Sequence, residues 1–399
     1  MLSATRSLYK NAFTGLSKST WSLTLVMLIN RSGTMVVPFL TIYCTHQLHF
    51  TLTQAGFVMA LFGGGSIVGS FIGGRITDAW GFYPLQVASL LLGGAMFIIV
   101  GYLKSYQILC AGTFLLSCFN ESFRPANATA IAYYSTPENR TRSYSLNRLA
   151  INLGWCVGGA LGGFLASINY QLLFWVDGCT NIFAALLLLK LLPFVNSGYK
   201  KNDTPKPVDR TAWLDKPYLA FIAITILFAS CFFQLFTMQP VFYKTEWKLD
   251  EQFIGILMAT NGIIIVIIEM ILIFSLEKKN KPLLFMRCGF VLVGIGFALV
   301  NILPAVAWVA FLSAIIVTFG EMLSMPFMNS FWISRTNENN RGQYAAMYSI
   351  AWSVAQIAAP AFGSVIAMHK GFDTLWWMML IICSIAALSI LLLDKSIRQ

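Results

Sequence analysis

Seven ionisable residues stand inside apolar runs of this chain: Arg31, Glu121, Arg124, Arg148, Asp177, Glu269 and Glu321. Charged side chains are expensive at bilayer depth, so residues of these types there mark a path for a solute or an ion. Burial favours the neutral form of a carboxylate and a neighbouring arginine favours the charged form. An arginine that moves therefore turns a carboxylate into a proton switch. Glu121 and Arg124 lie three residues apart and share a helix face, within the polar stretch Cys118 to Thr129 that also contains Pro125. Glu321 has no basic residue in its own run to neutralise it, which makes it the first candidate for proton coupling, and Glu121 the second. Arg31, in Asn30-Arg31-Ser-Gly33, is too deep to reach the surface. It either binds a substrate carboxylate or holds Glu121 or Glu321 ionised. Glu269 is placed to be a gate or simply hydrated, and Asp177 to meet interfacial water. Arg148, near the start of its run, is a gating candidate or a snorkelling side chain. The competing structural reading pairs these residues off as buried salt bridges, although apolar residues usually serve stability as well.

The elements that must position these groups are membrane spans. The chain has 399 residues, 57% hydrophobic and 11% charged, with a mean hydropathy of +0.70. A soluble domain would carry roughly 25% charged residues. Twelve apolar segments follow one another at 21–45, 53–74, 84–103, 107–132, 143–168, 172–194, 217–243, 252–275, 282–301, 306–330, 345–366 and 374–393. They imply an all-α integral membrane protein. The first is too long for a signal-peptide core and has no cleavage site, so it stays as a span. Residues 2–18 alternate apolar and basic positions and suit a short interfacial helix. With both termini cytoplasmic, nineteen Lys/Arg fall on the cytoplasmic side and four on the other. That asymmetry is the positive-inside pattern, and it explains the net charge of +11 without a nucleic-acid partner. The eight cysteines are scattered in or beside apolar runs as packing residues. His46 and His49 have no third ligand nearby, so no metal site is expected. Trp21, Trp175, Trp376 and Trp377 at span ends read as interfacial anchors.

A polar linker at 196–216 divides the chain into halves at 1–195 and 217–399, with six spans each. At an offset of 200, Tyr43 matches Tyr243, Glu121 matches Glu321, Glu138-Asn139 matches Glu338-Asn339, Tyr144 matches Tyr344 and Gly163 matches Gly363. Pro38 with Pro240 and Pro125 with Pro326 follow at small shifts. Two pseudo-symmetric halves around a midplane site form a transporter architecture.

Over its full length the chain resembles the major facilitator superfamily. Twelve spans, the six-plus-six division and the cytoplasmic central loop are its pattern, and Gly74-Arg-Ile-Thr-Asp78-Ala-Trp-Gly81 resembles its G-x-x-x-D-x-x-G loop. The resemblance implies gating roles for Gly74, Asp78 and Gly81. Span five carries Gly154-x-x-x-Gly158-Gly159-x-x-Gly162-Gly163. Glycines so spaced let helices approach closely. The spacing also resembles the motif of the superfamily's drug–proton antiporters, with Gly159 in place of a proline. Phe-Arg124-Pro125-x-Asn127, Arg31, Ile151-Asn152-Leu-Gly154 and Gly320-Glu321 instead resemble the proton-coupled oligopeptide transporters. There, basic residues on spans one and four and a glutamate on span ten frame a zwitterion. The resemblance implies substrate contacts at Arg31, Arg124, Asn30 and Asn127, and Tyr43 could line the cavity. Asn30 stands where that family has a glutamate, which tilts the reading to a drug- or metabolite–proton antiporter.

The expectation is a monomeric transporter of small organic molecules in a cell membrane, bacterial inner membrane in type. Its two halves rock around the site, driven by the proton gradient with no other cofactor. The alternatives are a symporter importing small peptides or other zwitterions and, from another class, a non-transporting receptor or a channel. Buried charge near the midplane of both halves argues against the last two. No P-loop, Ser-His-Asp set or metal cluster is present, so enzymology and ATP-driven pumping are not expected.

Overall fold

The computed structural model describes residues 11–195, 211–249, 251–279, 281–337 and 340–398. The expectations for residues 2–10, for the linker at 196–210 and for Glu338-Asn339 lie outside the described residues. Among those described, every regular element is helical. The first span is broken into α1 (Lys18–Ser32) and α2 (Val36–Ile42), the latter widening into a π-helical turn at Tyr43–Gln47. The next five are α3 (Leu52–Trp80), α4 (Phe82–Gly101), α5 (Tyr106–Tyr134), α6 (Arg140–Ile168) and α7 (Tyr170–Leu191). The second half holds α8 (Lys216–Thr245), α9 (Glu251–Glu277), α10 (Pro282–Ile302), α11 (Ala307–Ser334), α12 (Arg341–Lys370) and α13 (Phe372–Arg398).

Local chemistry sets several of these boundaries. Thr51 and Gln54 form a reciprocal capping box at the start of α3, satisfying amides that would otherwise lack partners. Gly81 ends α3 at φ +93°, which a residue with a Cβ adopts only under strain, so the turn into α4 needs glycine there. Asp215 caps α8, accepting from the Tyr218 amide at 3.2 Å. Among the described residues, eleven segments are long and apolar enough to cross a membrane. The twelfth, α5, has the length, 29 residues, but carries the polar stretch around Glu121, and those polar groups turn inward.

Within the first half, α5 packs against α3 and α4, while α1 and α7 flank α6 and α4. In the second half, α10 packs on α11 and α13, and α8 on α12 and α13. Aromatic pairs fill that core, with Phe228 stacked on Phe290 at 4.2 Å and Phe297 on Trp376 at 5.5 Å. Trp376 is therefore a buried core residue and not the interfacial anchor its position at a span end implied, because Phe242, Phe297 and Phe372 enclose it. Trp21, Trp175 and Trp377 are exposed.

Alongside smaller contacts of α5 with α12 and of α6 with α11, two principal helix pairs join the halves: α3 with α12, and α6 with α9. Both run antiparallel in a regular register. Along the first pair the contacts are Asp78 to Gly342 and Gln343, Gly74 to Ala346, Ser66 to Ser353 and Gly63 to Ile357. Along the second they are Arg142 to Glu277, Arg148 to Glu269 and Cys156 to Gly262. These contacts run from the face where α1 begins and α13 ends, called here the terminal face, to about one turn past the span centres. Towards the opposite face the partners separate. Gly56, Gly159 and Gly255 face open space, and Leu161, Phe164, Ile256 and Val365 are exposed. The structure is closed at the terminal face and open at the other.

Candidate functional site

Two charged clusters occupy the bundle interior at the level where the halves begin to part. The first is built by α1 and α5. Arg124 Nε lies 2.7 Å from Glu121 Oε2, and Asn120 donates to Glu121 Oε1 at 3.2 Å. Pro125 has no amide to give the Glu121 carbonyl, so the helix ladder is interrupted at the same place. Arg31, on the last turn of α1, is 92% buried by its 8% exposure, and its Nε has no hydrogen-bond partner. It stands within electrostatic reach of Glu121 and Arg124. Two guanidiniums and one carboxylate leave this cluster with an excess positive charge.

The position of Arg31 is fixed by the break in the first span. Asp177 of α7 accepts from the Met35 amide at 3.0 and 3.1 Å and from the Val36 amide at 2.8 Å, neutralising the exposed N-terminus of α2. On the other side of the break, Asn30 donates to Asn181 of the same helix at 2.8 Å. Asp177 is fully buried, which corrects the expectation that it meets interfacial water. From α6, Gly154 comes so close that a Cβ on it would lie 2.5 Å from the Arg31 Cβ. Gly158 faces the carbonyls of Arg31, Ser32 and Thr34, and Gly162 faces Met35 and Phe39. The span-five glycines thus act as the surface on which the broken helix rests.

The second cluster crosses between halves. Arg148 of α6 places Nη1 2.5 Å from Glu269 Oε2 of α9 and Nη2 2.9 Å from Glu321 Oε2 of α11. Both carboxylates are 1% exposed. Asn261 donates to the other oxygen of Glu321 and to Thr318, each at 2.9 Å. Glu321 was expected to lack a cationic partner because its own span has none. It has one, supplied by the opposite half, and Arg148 points into the interface, with its side chain 14% exposed, instead of snorkelling. One guanidinium between two carboxylates leaves an excess negative charge, the mirror of the first cluster.

Other expected site residues are held elsewhere. Tyr43 sits in an apolar cluster near the open face, donating to the Gly101 carbonyl at 3.3 Å with its ring 5.0 Å from Phe174, so it does not line the charged site. Asn127 accepts from Gln86 and donates to Asn147, a polar link within the first half. Asp78 takes the amides of Gly342 at 2.5 Å and Gln343 at 2.8 Å, bringing a carboxylate to the N-terminus of α12. Gly74 lets this crossing close, and Gly81 ends the helix that carries it. Asn261 is a lone amide in an otherwise apolar run and matches none of the motifs that pointed to Asn30 and Asn127, so nothing in its own segment marks it. Arg142 and Glu277 were missed because both read as ordinary loop-end charges.

The family model described as Major Facilitator Superfamily matches residues 21–360. Among curated proteins, the uncharacterised MFS-type transporter YttB of Bacillus subtilis is 25% identical, over 94% of this chain and 94% of that protein. A Na(+), Li(+), K(+)/H(+) antiporter of Planococcus maritimus is 24% identical over 90% and 91%. Multidrug resistance protein 1 of Bacillus subtilis is 23% identical over 83% and 85%. Among solved structures, the human organic anion transporter MFSD10 superposes with a TM-score of 0.74 at 12% identity, covering 94% of this chain and 99% of that one. A bacterial homologue of the iron transporter ferroportin in its outward-facing state gives 0.72 at 16% identity, covering 95% and 100%. Helix inventory, two-half architecture and family model agree: the chain belongs to the Major Facilitator Superfamily and is a multi-pass membrane transporter, not an enzyme.

Proposed function

We propose that this protein is a proton-coupled antiporter that exports small organic molecules across a bacterial cell membrane by alternating access, with its terminal face in the cytoplasm. The observation that carries the reading is the sharing of Arg148 between Glu269 and Glu321 across the interface of the halves. With both carboxylates ionised, Arg148 ties the halves together at the closed face. A proton arriving from the open side on Glu321 weakens one of the two ties, and Arg148 can then part from the second half as the terminal face opens. The proton is released into the cytoplasm, and substrate enters in its place. Glu121 is the second proton candidate.

The cluster of Arg31, Glu121 and Arg124, with its excess positive charge, supports binding of a substrate that carries an anionic group. Relatives of similar likeness that have a named activity include a cation/proton antiporter and multidrug resistance proteins, which favours antiport. A second reading, symport of a zwitterion such as a small peptide, draws on the opposite charges of the two clusters. In vesicles under an imposed pH gradient, the direction of substrate movement separates the two. Glu321→Gln is expected to abolish pH-driven accumulation while substrate-for-substrate exchange continues. Normal accumulation by that variant would overturn the proton assignment.

A further inference from the structure

Residues 11–17, just before the first span, are folded under the bundle. Ala12 is fully buried in a cluster with Leu146 of α6 and Met270 of α9, and Phe13 and Leu16 pack against the same cluster. Its two walls belong to different halves. Arg142, in the first turn of α6, donates through Nη1 to the carbonyls of Asn11, Ala12 and Thr14 at 3.3, 3.4 and 3.0 Å. Its Nε lies 2.5 Å from Glu277 Oε1 of α9, and its guanidinium stands 5.2 Å from the Phe274 ring of the same helix. Asn139 donates to the Gly15 carbonyl at 2.8 Å, and Ser17 to the Tyr134 carbonyl at 2.9 Å. The segment is moored to the first half by these polar bonds and reaches the second through its apolar side chains.

Separating α6 from α9 at this face would expose Ala12, Phe13 and Leu16 and strip Arg142 of Glu277. The contact therefore exists only in the closed arrangement, and a contact made in one state alone shifts the equilibrium towards that state. Arginine suits the position because its fixed fork of donors can serve several carbonyls and a carboxylate together, which an ammonium cannot. We propose that residues 11–17, clasped by Arg142, form a latch across the two halves that holds the terminal face closed, and that its release is a step of the transport cycle. The proposal rests on the alternating-access reading but not on the proton assignment or the substrate.

The test uses the full chain with its eight native cysteines replaced, reconstituted in lipid, with spin labels at Ser135→Cys and Thr336→Cys in two loops of the terminal face. The distance distribution between labels is recorded without substrate or gradient, so the result stands apart from the success or failure of the transport assay. Deletion of residues 2–16, and independently Arg142→Gln, is expected to raise the long-distance population relative to the short one by roughly tenfold, equivalent to about 1.4 kcal/mol. A synthetic peptide of residues 1–17 added to the deleted protein is expected to restore the short distance. If the deletion does not fold, Arg142→Gln and Ala12→Asp on the intact chain carry the comparison. An unchanged distribution in the variants overturns the proposal.

Discussion

A guanidinium held by two carboxylates of the opposite half behaves differently from a guanidinium in a closed pair. Removing one carboxylate from the Arg148 site leaves a balanced pair with Glu269, whereas removing Arg148 leaves two buried carboxylates facing each other. Arg148→Met is accordingly expected to lower stability by about 3–5 kcal/mol, the typical result of leaving buried charge uncompensated. Glu321→Gln should cost far less. Thermal unfolding in detergent compares them, and equal melting temperatures would contradict the shared-pair geometry. Outside the spans, Asp215 offers a cleaner titration. Burial works against its ionisation, but the bonds from Arg335 at 2.7 and 2.8 Å and from the Tyr344 hydroxyl at 2.9 Å outweigh it and hold its carboxyl below the usual range. A lowered folded-state pKa contributes stability that is present at neutral pH and lost only as the pH falls through that value. Asp215→Asn should therefore lose stability at neutral pH, and the gap to the parent should narrow on acidification below the ordinary carboxylate range. A gap that widens with acid would show the opposite sign.

At the scale of elements, the broken first span is the feature on which the cluster of Arg31, Glu121 and Arg124 depends. Asp177 supplies both oxygens to the amides that open α2, so Asp177→Ala leaves a buried helix end without acceptors, expected to cost about 1.5–3 kcal/mol. Amide hydrogen exchange at Met35 and Val36 should accelerate in that variant, and unchanged protection would remove Asp177 from the role of cap. The α6 glycines give a second contrast. Gly154→Leu would collide with the Arg31 backbone and Cβ, and should abolish correct assembly of α1 on α6. Gly159→Ala meets nothing within 4 Å and should leave assembly intact. Much of this was legible in the sequence. The spans, the glycine surface and the polar character of α5 follow from residue type and period, because each is a property of one helix. The break at Gly33 and the cap by Asp177 were not legible, since a capping bond joins residues 35 and 177 and leaves no mark within either segment. The burial of Trp376 was missed for the same reason. Position along a helix gives depth, but not which side the neighbouring helices cover.

For the whole molecule, the matched positions of the two halves revealed the repeat but not its asymmetry. Glu121 and Glu321 occupy equivalent places, yet the first pairs within its own helix and the second across the interface. Only the docking of α6 against α9 and α11 decides that difference. The same docking makes the alternation of the two faces directly measurable. Ser66 and Ser353 have their hydroxyls 2.8 Å apart on α3 and α12, whereas Gly56, nearly three turns nearer the open face, meets nothing. In a background free of native cysteines, Ser66→Cys with Ser353→Cys should cross-link readily at rest, and the cross-link should stop transport until it is reduced. Gly56→Cys with Ser364→Cys extends the same antiparallel register to the open side. It should cross-link slowly at rest and faster during turnover, when the open face closes and the terminal face parts. A rocking motion requires the two pairs to respond in opposite directions to substrate and gradient. If both pairs cross-link together under every condition, the halves do not alternate about the α3–α12 contact, and the charged clusters would have to couple to some other movement.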